Sequence, residues 1–201
     1  MADYRDNNNA TADFSFRKCL TQDLNANLPE EALNDNFSCL LNILKLIFLS
    51  PGFRLILLYR LSHFFCFNFG YLGKLLYFII LYLERQFFNC EISARAVLGG
   101  GVIFPHAQGI LIGPNVRIGI NTWIFQNVTI GGGVSNKSGM PKVGNNCHIY
   151  TGAVIVGPVT IGDNCSIGAN VVVSKSIPNN SFVKPQPPQI LPLAIKLYDE
   201  N

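Results

Sequence analysis

A histidine and a carboxylate in the second half of the chain are of the residue types that proton transfer requires. His106 is one of three histidines in 201 residues, and imidazole gains and loses a proton near neutral pH. Glu91 lies fifteen residues upstream, and residues 36–198 contain only two other acidic side chains, Glu84 and Asp163. An imidazole can take the proton of a hydroxyl group, and a carboxylate can hold it in the required tautomer. The alternative for His106 is an ordinary surface histidine without a catalytic role. The alternative for Glu91 is a solvated residue at the edge of a strand.

The segment that must position this pair has a six-residue period. A period of six fits neither a helix nor a strand, but it fits a solenoid in which each strand and turn forms one side of a prism. We therefore predict a parallel β-helix over residues 91–177. The positions expected to point inward are Ile92, Leu98, Phe104, Ile112, Ile118, Ile124, Ile130, Val143, Ile149, Ile155, Ile161, Ile167 and Val173.

The period is interrupted twice, and insertions in a solenoid become surface loops. Two residues are added between Phe104 and Ile112, beside His106, and seven are added between Ile130 and Val143. Binding and catalytic residues are often found on such loops. Both interruptions are therefore candidate parts of a functional site.

The residues before the solenoid divide into two zones. Residues 1–36 are polar, and we expect a partly disordered lead-in. Residues 37–90 are apolar and aromatic, with helices expected at about 38–49, 52–67 and 71–88. This helical domain could be buried, or residues 53–88 could make a peripheral membrane contact with aromatic side chains in lipid. The aromatic residues considered for that contact are Phe64, Phe65, Phe67, Phe69 and Tyr71.

Charge and cysteine content narrow the cellular context. Residues 36–198 carry twelve basic and three acidic side chains, which favours anionic partners such as a polyphosphate ligand or an anionic membrane surface. No basic run with aromatic stacking residues accompanies this charge, so we expect no nucleic-acid partner. The six scattered cysteines and the lack of an apolar leader predict a cytoplasmic protein with reduced thiols. The alternative is a peripheral location at the inner face of the cytoplasmic membrane.

Several motifs in this sequence resemble the bacterial serine O-acetyltransferases and the related acetyltransferases of exopolysaccharide and capsule clusters. They are Pro105–Gly113 (PHAQGILIG), Phe125–Gly132 (FQNVTIGG) and Pro141-Lys142, together with Gly52-Phe53 and Tyr59–His63 (YRLSH) upstream. The resemblance implies a left-handed β-helix, an exception to the usual right-handed crossover, behind a small α-helical domain. It also implies acetyl-CoA as co-substrate and a homotrimer with active sites between neighbouring prisms. We expect no metal, because a three-histidine metal site would need a third histidine on the prism beside His106 and His148.

The resemblance also assigns roles to individual residues. His106 matches the catalytic histidine, and Glu91 stands where the family carries an acidic orienting residue. Glycines at the start of the long loop would allow close approach of a thioester, and a backbone N–H there could stabilise an oxyanion. The residues expected to bind acetyl-CoA are Gly131, Gly132, Lys142, Thr151, Ala169 and Lys175. Those expected near the acceptor are Pro105, Gln126 and Met140.

The acceptor is where this sequence departs from serine acetyltransferases. They carry an acidic residue directly before the catalytic histidine and an Arg-His pair in the long loop; here the positions hold Pro105 and Gly139-Met140. Serine has two charges, and a site without fixed partners for them would bind it poorly. We therefore expect a saccharide acceptor in surface polysaccharide synthesis. The alternatives are an L-serine acceptor, as in cysteine biosynthesis, and a non-catalytic structural β-helix. After the β-helix, we expect residues 178–201 to form a proline-rich tail.

Overall fold

The computed structural model describes residues 15–29, 36–133 and 139–187. Four helices precede a stack of short parallel strands: α1 (Phe16–Asn27), α2 (Asn36–Leu49), α3 (Pro51–Asn68) and α4 (Gly70–Phe88). The last three begin and end within two residues of the predicted helices. α1 lies inside the predicted polar lead-in, and its Asp23 is fully buried.

The strands of the described residues are two or three residues long, as a solenoid with six-residue sides requires. They are β1 (Glu91–Ile92), β2 (Val97–Leu98), β3 (Leu111–Ile112), β4 (Arg117–Ile118), β5 (Trp123–Ile124), β6 (Thr129–Gly131), β7 (Lys142–Val143), β8 (His148–Ile149), β9 (Val154–Val156), β10 (Thr160–Ile161), β11 (Ser166–Ile167), β12 (Val172–Val173) and β13 (Phe182–Val183). β13 shows that the coil continues beyond residue 177, into the predicted tail.

These strands form three parallel sheets, which are the faces of a prism. The first face has the order β1-β3-β6-β9-β12, the second β2-β4-β7-β10 and the third β5-β8-β11-β13. All thirteen positions predicted to point inward are buried, and all of them belong to one continuous core. The predicted parallel β-helix is therefore confirmed.

The two interruptions of the period are absorbed without disturbing the first face. Ile112 pairs with Ile130 across one regular coil, whereas Ile92 pairs with Ile112 and Ile130 with Ile155 across the coils that contain the insertions. The inserted residues therefore leave the prism at its corners. The first insertion is at the corner where the chain passes from the third face to the first (the third-to-first corner). The second is at the first-to-second corner.

Left-handed backbone conformations make the sharp corners possible. Asparagine or glycine occupies these positions, for example Asn127 (φ 59°), Asn170 (φ 57°) and Gly109 (φ 65°), because these residues tolerate positive φ best. At the second-to-third corner, asparagine amides also donate to one another from coil to coil, as Asn146 does to Asn164 at 3.3 Å.

The Tyr59–His63 motif fastens α3 to the first coil of the prism. The Tyr59 hydroxyl donates to the Ala96 carbonyl (2.8 Å) and accepts from the Leu98 N–H (3.2 Å). The buried Arg60 guanidinium donates to the carbonyl oxygens of Leu98 and Gly99 and pairs with Asp23 of α1 at 2.9 Å. These bonds join α1 and α3 to the prism at the amino-terminal end of the coil. α2 packs on α3.

The outer surface of the helices remains apolar and exposed. Phe67, Phe69 and Tyr71 are exposed, as the membrane hypothesis required, whereas Phe64 is half-buried with its ring 5.1 Å from that of Phe16. Among the described helices, no single one is long and apolar enough to cross a membrane. One pair bent by 96°, Cys39–Leu49 with Pro51–Asn68, meets that criterion by length and composition alone.

Candidate active site

His106 lies in the turn that the first insertion creates. Its carbonyl oxygen accepts from the Gln108 N–H at 2.9 Å, and the Gly109 N–H donates to the Phe88 carbonyl at the end of α4. The imidazole is exposed, with its ring centre 6.5 Å from that of Phe125. Among the described residues, no group forms a hydrogen bond with this imidazole. Its nitrogens are therefore open to a ligand that approaches from solvent.

Glu91 begins β1, directly beside the segment that follows the His106 turn. Its N–H donates to the Ile110 carbonyl at 2.8 Å. Its carboxylate, however, pairs with Arg85 at the end of α4, with 2.7 Å between Oε2 and Nη2. Within the described part of the chain, no hydrogen bond joins this carboxylate to His106. The orienting role of Glu91 stays a prediction.

Glu84 is a second carboxylate near β1. It is fully buried, and its Oε2 accepts from the Ile92 N–H at 3.1 Å, whereas its Oε1 has no hydrogen-bond partner in the described structure. Burial raises the pKa of this carboxyl to about 8, and the nearby Glu91 carboxylate adds to the effect. Glu84 is therefore mostly protonated at neutral pH.

Three of the predicted ligand-binding residues form a column along the third-to-first corner. Successive coils are joined there by backbone hydrogen bonds from Asn127 to Gln108, from Gly152 to Gln126 and from Asn170 to Thr151. Gln126, Thr151 and Ala169 therefore lie one above another, in line with the His106 turn. Gln126 Oε1 is buried and has no hydrogen-bond partner among the described residues, so it is an available acceptor in this column.

A cavity of about 730 Å³ lies at the carboxyl-terminal end of this column. It is lined by residues 169–172 and 183–186. Lys184 places a positive charge at this cavity. It was not among the residues predicted from the sequence to bind acetyl-CoA. An elongated ligand could thus run from His106 along the corner towards Lys184.

Apart from Pro105, the remaining predicted site residues lie at the other edge of the first face. Gly131 ends β6 and Gly132 follows it, Lys142 begins β7, and Lys175 follows β12, all at the first-to-second corner. Met140 packs there, since a Cβ built on Gly132 would lie 3.3 Å from its sulfur. Pro105 precedes His106 and is half-buried at the opposite corner. Within one chain, the predicted residues therefore form two groups separated by the first face.

An aromatic cluster next to His106 was not predicted. The Phe125 ring stacks on Tyr150 with 5.1 Å between centres, and Trp123 packs against His148 at 5.6 Å. Trp123 and Phe125 flank the buried Ile124 in sequence, and His148 and Tyr150 flank Ile149 in the same way. Since Ile124 and Ile149 pair in adjacent strands, the periodicity alone could have shown that these aromatic residues stack.

Comparisons with known proteins identify the family. The family model described as bacterial transferase hexapeptide (six repeats) matches residues 140–175. The serine acetyltransferase of Helicobacter pylori (strain ATCC 700392 / 26695) is 33% identical over 141 residues, which cover 68% of this chain and 79% of that protein. The chain belongs to the serine acetyltransferase family.

Other members of the family differ from the chain in length. The serine acetyltransferase of Mycobacterium tuberculosis is 34% identical over 149 residues, which cover 74% of this chain but only 64% of that protein. The solved Neisseria gonorrhoeae serine acetyltransferase in complex with serine aligns with a TM-score of 0.69 and 29% identity. That alignment covers 86% of this chain and 67% of the other. This likeness fits the expected left-handed β-helix behind amino-terminal helices.

The prediction of a saccharide acceptor was wrong. The relatives and the structural neighbours named above are serine acetyltransferases, and they support the alternative that the sequence had left second. The prediction treated the absence of charged side chains at Pro105, Gly139 and Met140 as the loss of all contacts to an amino acid. Backbone groups and other side chains of a site can also bind charged substrates, so these three positions were too few to decide the acceptor.

Proposed function

We propose that this member of the serine acetyltransferase family transfers the acetyl group of acetyl-CoA to the hydroxyl of L-serine. The observation that carries the proposal is the exposed, unpaired His106 imidazole in the insertion of the first coil, at the head of the Gln126, Thr151 and Ala169 column. The serine acetyltransferase relatives supply the identity of the acceptor.

The reaction needs a base because an alcohol is a weak nucleophile at neutral pH. A nitrogen of His106 takes the serine hydroxyl proton as the oxygen attacks the thioester carbonyl. The tetrahedral intermediate carries a negative charge on the former carbonyl oxygen, and in the trimer proposed below a backbone N–H near Gly131 and Gly132 of the neighbouring copy would stabilise it. Its collapse breaks the C–S bond, and the imidazolium returns its proton to the departing CoA thiolate. The products are O-acetylserine and free CoA.

The column at the third-to-first corner is suited to the pantetheine arm of the donor. Thr151 and Ala169 present small side chains along the path, and the 730 Å³ cavity at its end is bordered by Lys184. A lysine there can pair with a CoA phosphate. The lysines predicted for this role, Lys142 and Lys175, lie at the other corner, so on the same chain they cannot take part in this column.

The separation of the two corners supports a homotrimer with shared sites. In a ring of three prisms, the third-to-first corner of one copy can face the first-to-second corner of the next. His106 of one copy would then meet Gly131, Met140 and Lys142 of its neighbour. Each site is complete only in the assembly.

A cytoplasmic location fits this activity. Acetyl-CoA and free serine are both cytoplasmic metabolites, and the six cysteines are free thiols, four of them buried. A reducing compartment preserves such thiols.

The test is a thiol-release assay with the purified full chain, acetyl-CoA and L-serine. O-methyl-L-serine is the control acceptor, because it keeps both charges and lacks the reacting hydroxyl. We expect CoA release that depends on L-serine, with O-acetylserine identified by mass spectrometry. If protein that binds acetyl-CoA releases no thiol with L-serine beyond the control, the proposal is overturned.

A further inference from the structure

The outer surface of the helical domain is more apolar than packing against the prism requires. Among the described residues, fourteen large hydrophobic residues of α2, of the end of α3, of the connection to α4 and of α4 are between 41% and 91% exposed. We call them the apolar helical surface. They are Leu40, Leu41, Leu44, Phe48, Leu49, Phe67, Phe69, Tyr71, Leu72, Leu75, Phe78, Ile79, Tyr82 and Phe87.

The spacing of these residues gathers them on one side of each helix. In α4, Tyr71, Leu75, Phe78 and Tyr82 recur at intervals of three and four, so they form a stripe along its first three turns. In α2, Leu40, Leu44 and Phe48 recur at intervals of four. Contiguous exposed apolar surface of this size marks a binding site for a protein or a membrane.

A groove of about 500 Å³ lies between these two helices and α3. Ile47 of α2, Leu57 and Leu58 of α3 and Phe87 of α4 line it, and Arg54 is the only charged residue on its wall. Arg54 also donates to the Phe48 carbonyl at 2.9 Å. The groove therefore offers an apolar channel with a guanidinium at its border, which suits an acyl chain carrying an anionic headgroup.

Among the described residues, the exposed charged side chains of α2, α3 and α4 are all basic. Lys45, Arg54 and Lys74 are the basic residues of this region that have no carboxylate partner in the described structure. The only acidic side chain between residues 36 and 90 is Glu84, which is fully buried. Basic side chains around an apolar helical face are attracted to anionic lipid headgroups. Two copies meeting through this surface would instead bring like charges together.

We propose that the apolar helical surface lies on an anionic lipid bilayer. The stripe of α4 and the exposed side of α2 enter the boundary between headgroups and acyl chains, and Lys45, Arg54 and Lys74 contact the headgroups. The protein is thereby a peripheral membrane protein bound through its helices. This inference does not depend on the acceptor or on the catalytic role of His106.

Flotation of the full chain with lipid vesicles tests the proposal. We expect most of the protein to float with mixed phosphatidylcholine–phosphatidylglycerol vesicles and at least about tenfold less with pure phosphatidylcholine vesicles, since about 1 kcal/mol is gained per basic residue near an anionic surface. High salt should weaken the binding by screening the headgroup charges.

Two pairs of variants locate the surface. Phe78→Ser should reduce flotation about tenfold, whereas Ile120→Ser, which changes an exposed apolar residue of the prism, should not. Lys74→Glu should reduce it similarly, and Arg117→Glu on β4 should not. The serine-dependent rate in solution should be the same in Phe78→Ser and wild type, which separates this test from that of the proposed function.

Two results would overturn the inference. One is the absence of flotation with either vesicle by well-folded wild-type protein. The other is an oligomer larger than a trimer in lipid-free buffer that Phe78→Ser breaks into trimers, because the surface would then be covered by a second copy.

Discussion

At the scale of single residues, His106 carries the proposed chemistry. His106→Ala should lower the rate of acetyl transfer by about 10²- to 10⁴-fold, because it removes the general base. Acetyl-CoA affinity should stay near wild type, as measured by calorimetry. Gln108→Ala is the matched control, since its side chain is exposed in the same turn. An unchanged turnover in His106→Ala would exclude His106 from the mechanism.

Pro105 and Met140 test how the acceptor is bound. Pro105→Asp with Met140→His restores side chains of the kind that the resemblance implies for serine enzymes. A charge-assisted contact contributes about 1.5–3 kcal/mol, so the serine KM should fall about tenfold or more, while the KM for acetyl-CoA is unchanged. An arginine at position 139 is unsuitable, because Gly139 has φ 146° and packs against Pro158. A serine KM equal to that of the wild type in the folded double variant would contradict this argument.

Glu84 makes the free energy of unfolding depend on pH. Burial raises its pKa in the folded protein to about 8, whereas in the unfolded chain it is about 4.3. Between these values the unfolded state loses the proton and the folded state keeps it, so unfolding becomes easier as pH rises. The contribution of protonated Glu84 to the free energy of unfolding is fully present below about pH 4 and is lost by about pH 8.

Glu84→Gln should remove this dependence, because glutamine resembles the protonated acid and can still accept from the Ile92 N–H. We expect its Tm to exceed that of wild type by a margin that grows from about pH 5 to pH 8, measured by calorimetry. A constant difference across that range would mean that Glu84 is ionised in the folded protein.

At the scale of elements, substitutions at two glycines should affect different properties, stability at Gly52 and ligand binding at Gly131. A Cβ on Gly52 would overlap the Phe104 carbonyl, next to Pro105 and His106, whereas a Cβ on Gly131 meets no atom of the described residues within 4 Å. Gly52→Ala should therefore lower stability by about 1–3 kcal/mol. Gly131→Ala should leave the Tm unchanged but weaken acetyl-CoA binding at least about tenfold. Equal donor affinity in Gly131→Ala and wild type would exclude close approach of the thioester there.

Much of this architecture could be predicted from sequence because it is periodic. A side chain every six residues specifies the prism, and an interruption of that period specified the turn that holds His106. Contacts between distant segments have no such signal. The Asp23–Arg60 pair joins residues 37 apart, and Arg85 reaches Glu91 only because α4 ends against β1. The sequence could, however, have shown that Lys142 and Lys175 lie at the first-to-second corner, because each coil has three sides and the sides can be counted from β1.

At the scale of the whole molecule, the proposed trimer is the decisive prediction. Light scattering in mild detergent should give three times the mass of one chain, or a multiple of it. Co-expression of His106→Ala chains with Gly131→Val chains should restore activity that each variant lacks alone, because a mixed ring contains some sites without either substitution. A monodisperse, fully active monomer would contradict the shared site.

The helices docked on the first coil have a further consequence for how the chain reaches its fold. Neighbouring strands of the first face are separated by eighteen or more residues, so each new coil must close a long loop before it gains any contact. Only the first coil finds a finished surface to close against, namely α1 and α3 with the Asp23–Arg60 pair. Assembly that starts there and adds one coil at a time lowers this entropic barrier. The amino-terminal helices thus serve as a template for the prism, and the last coils to form are those that carry Ala169 and Lys184.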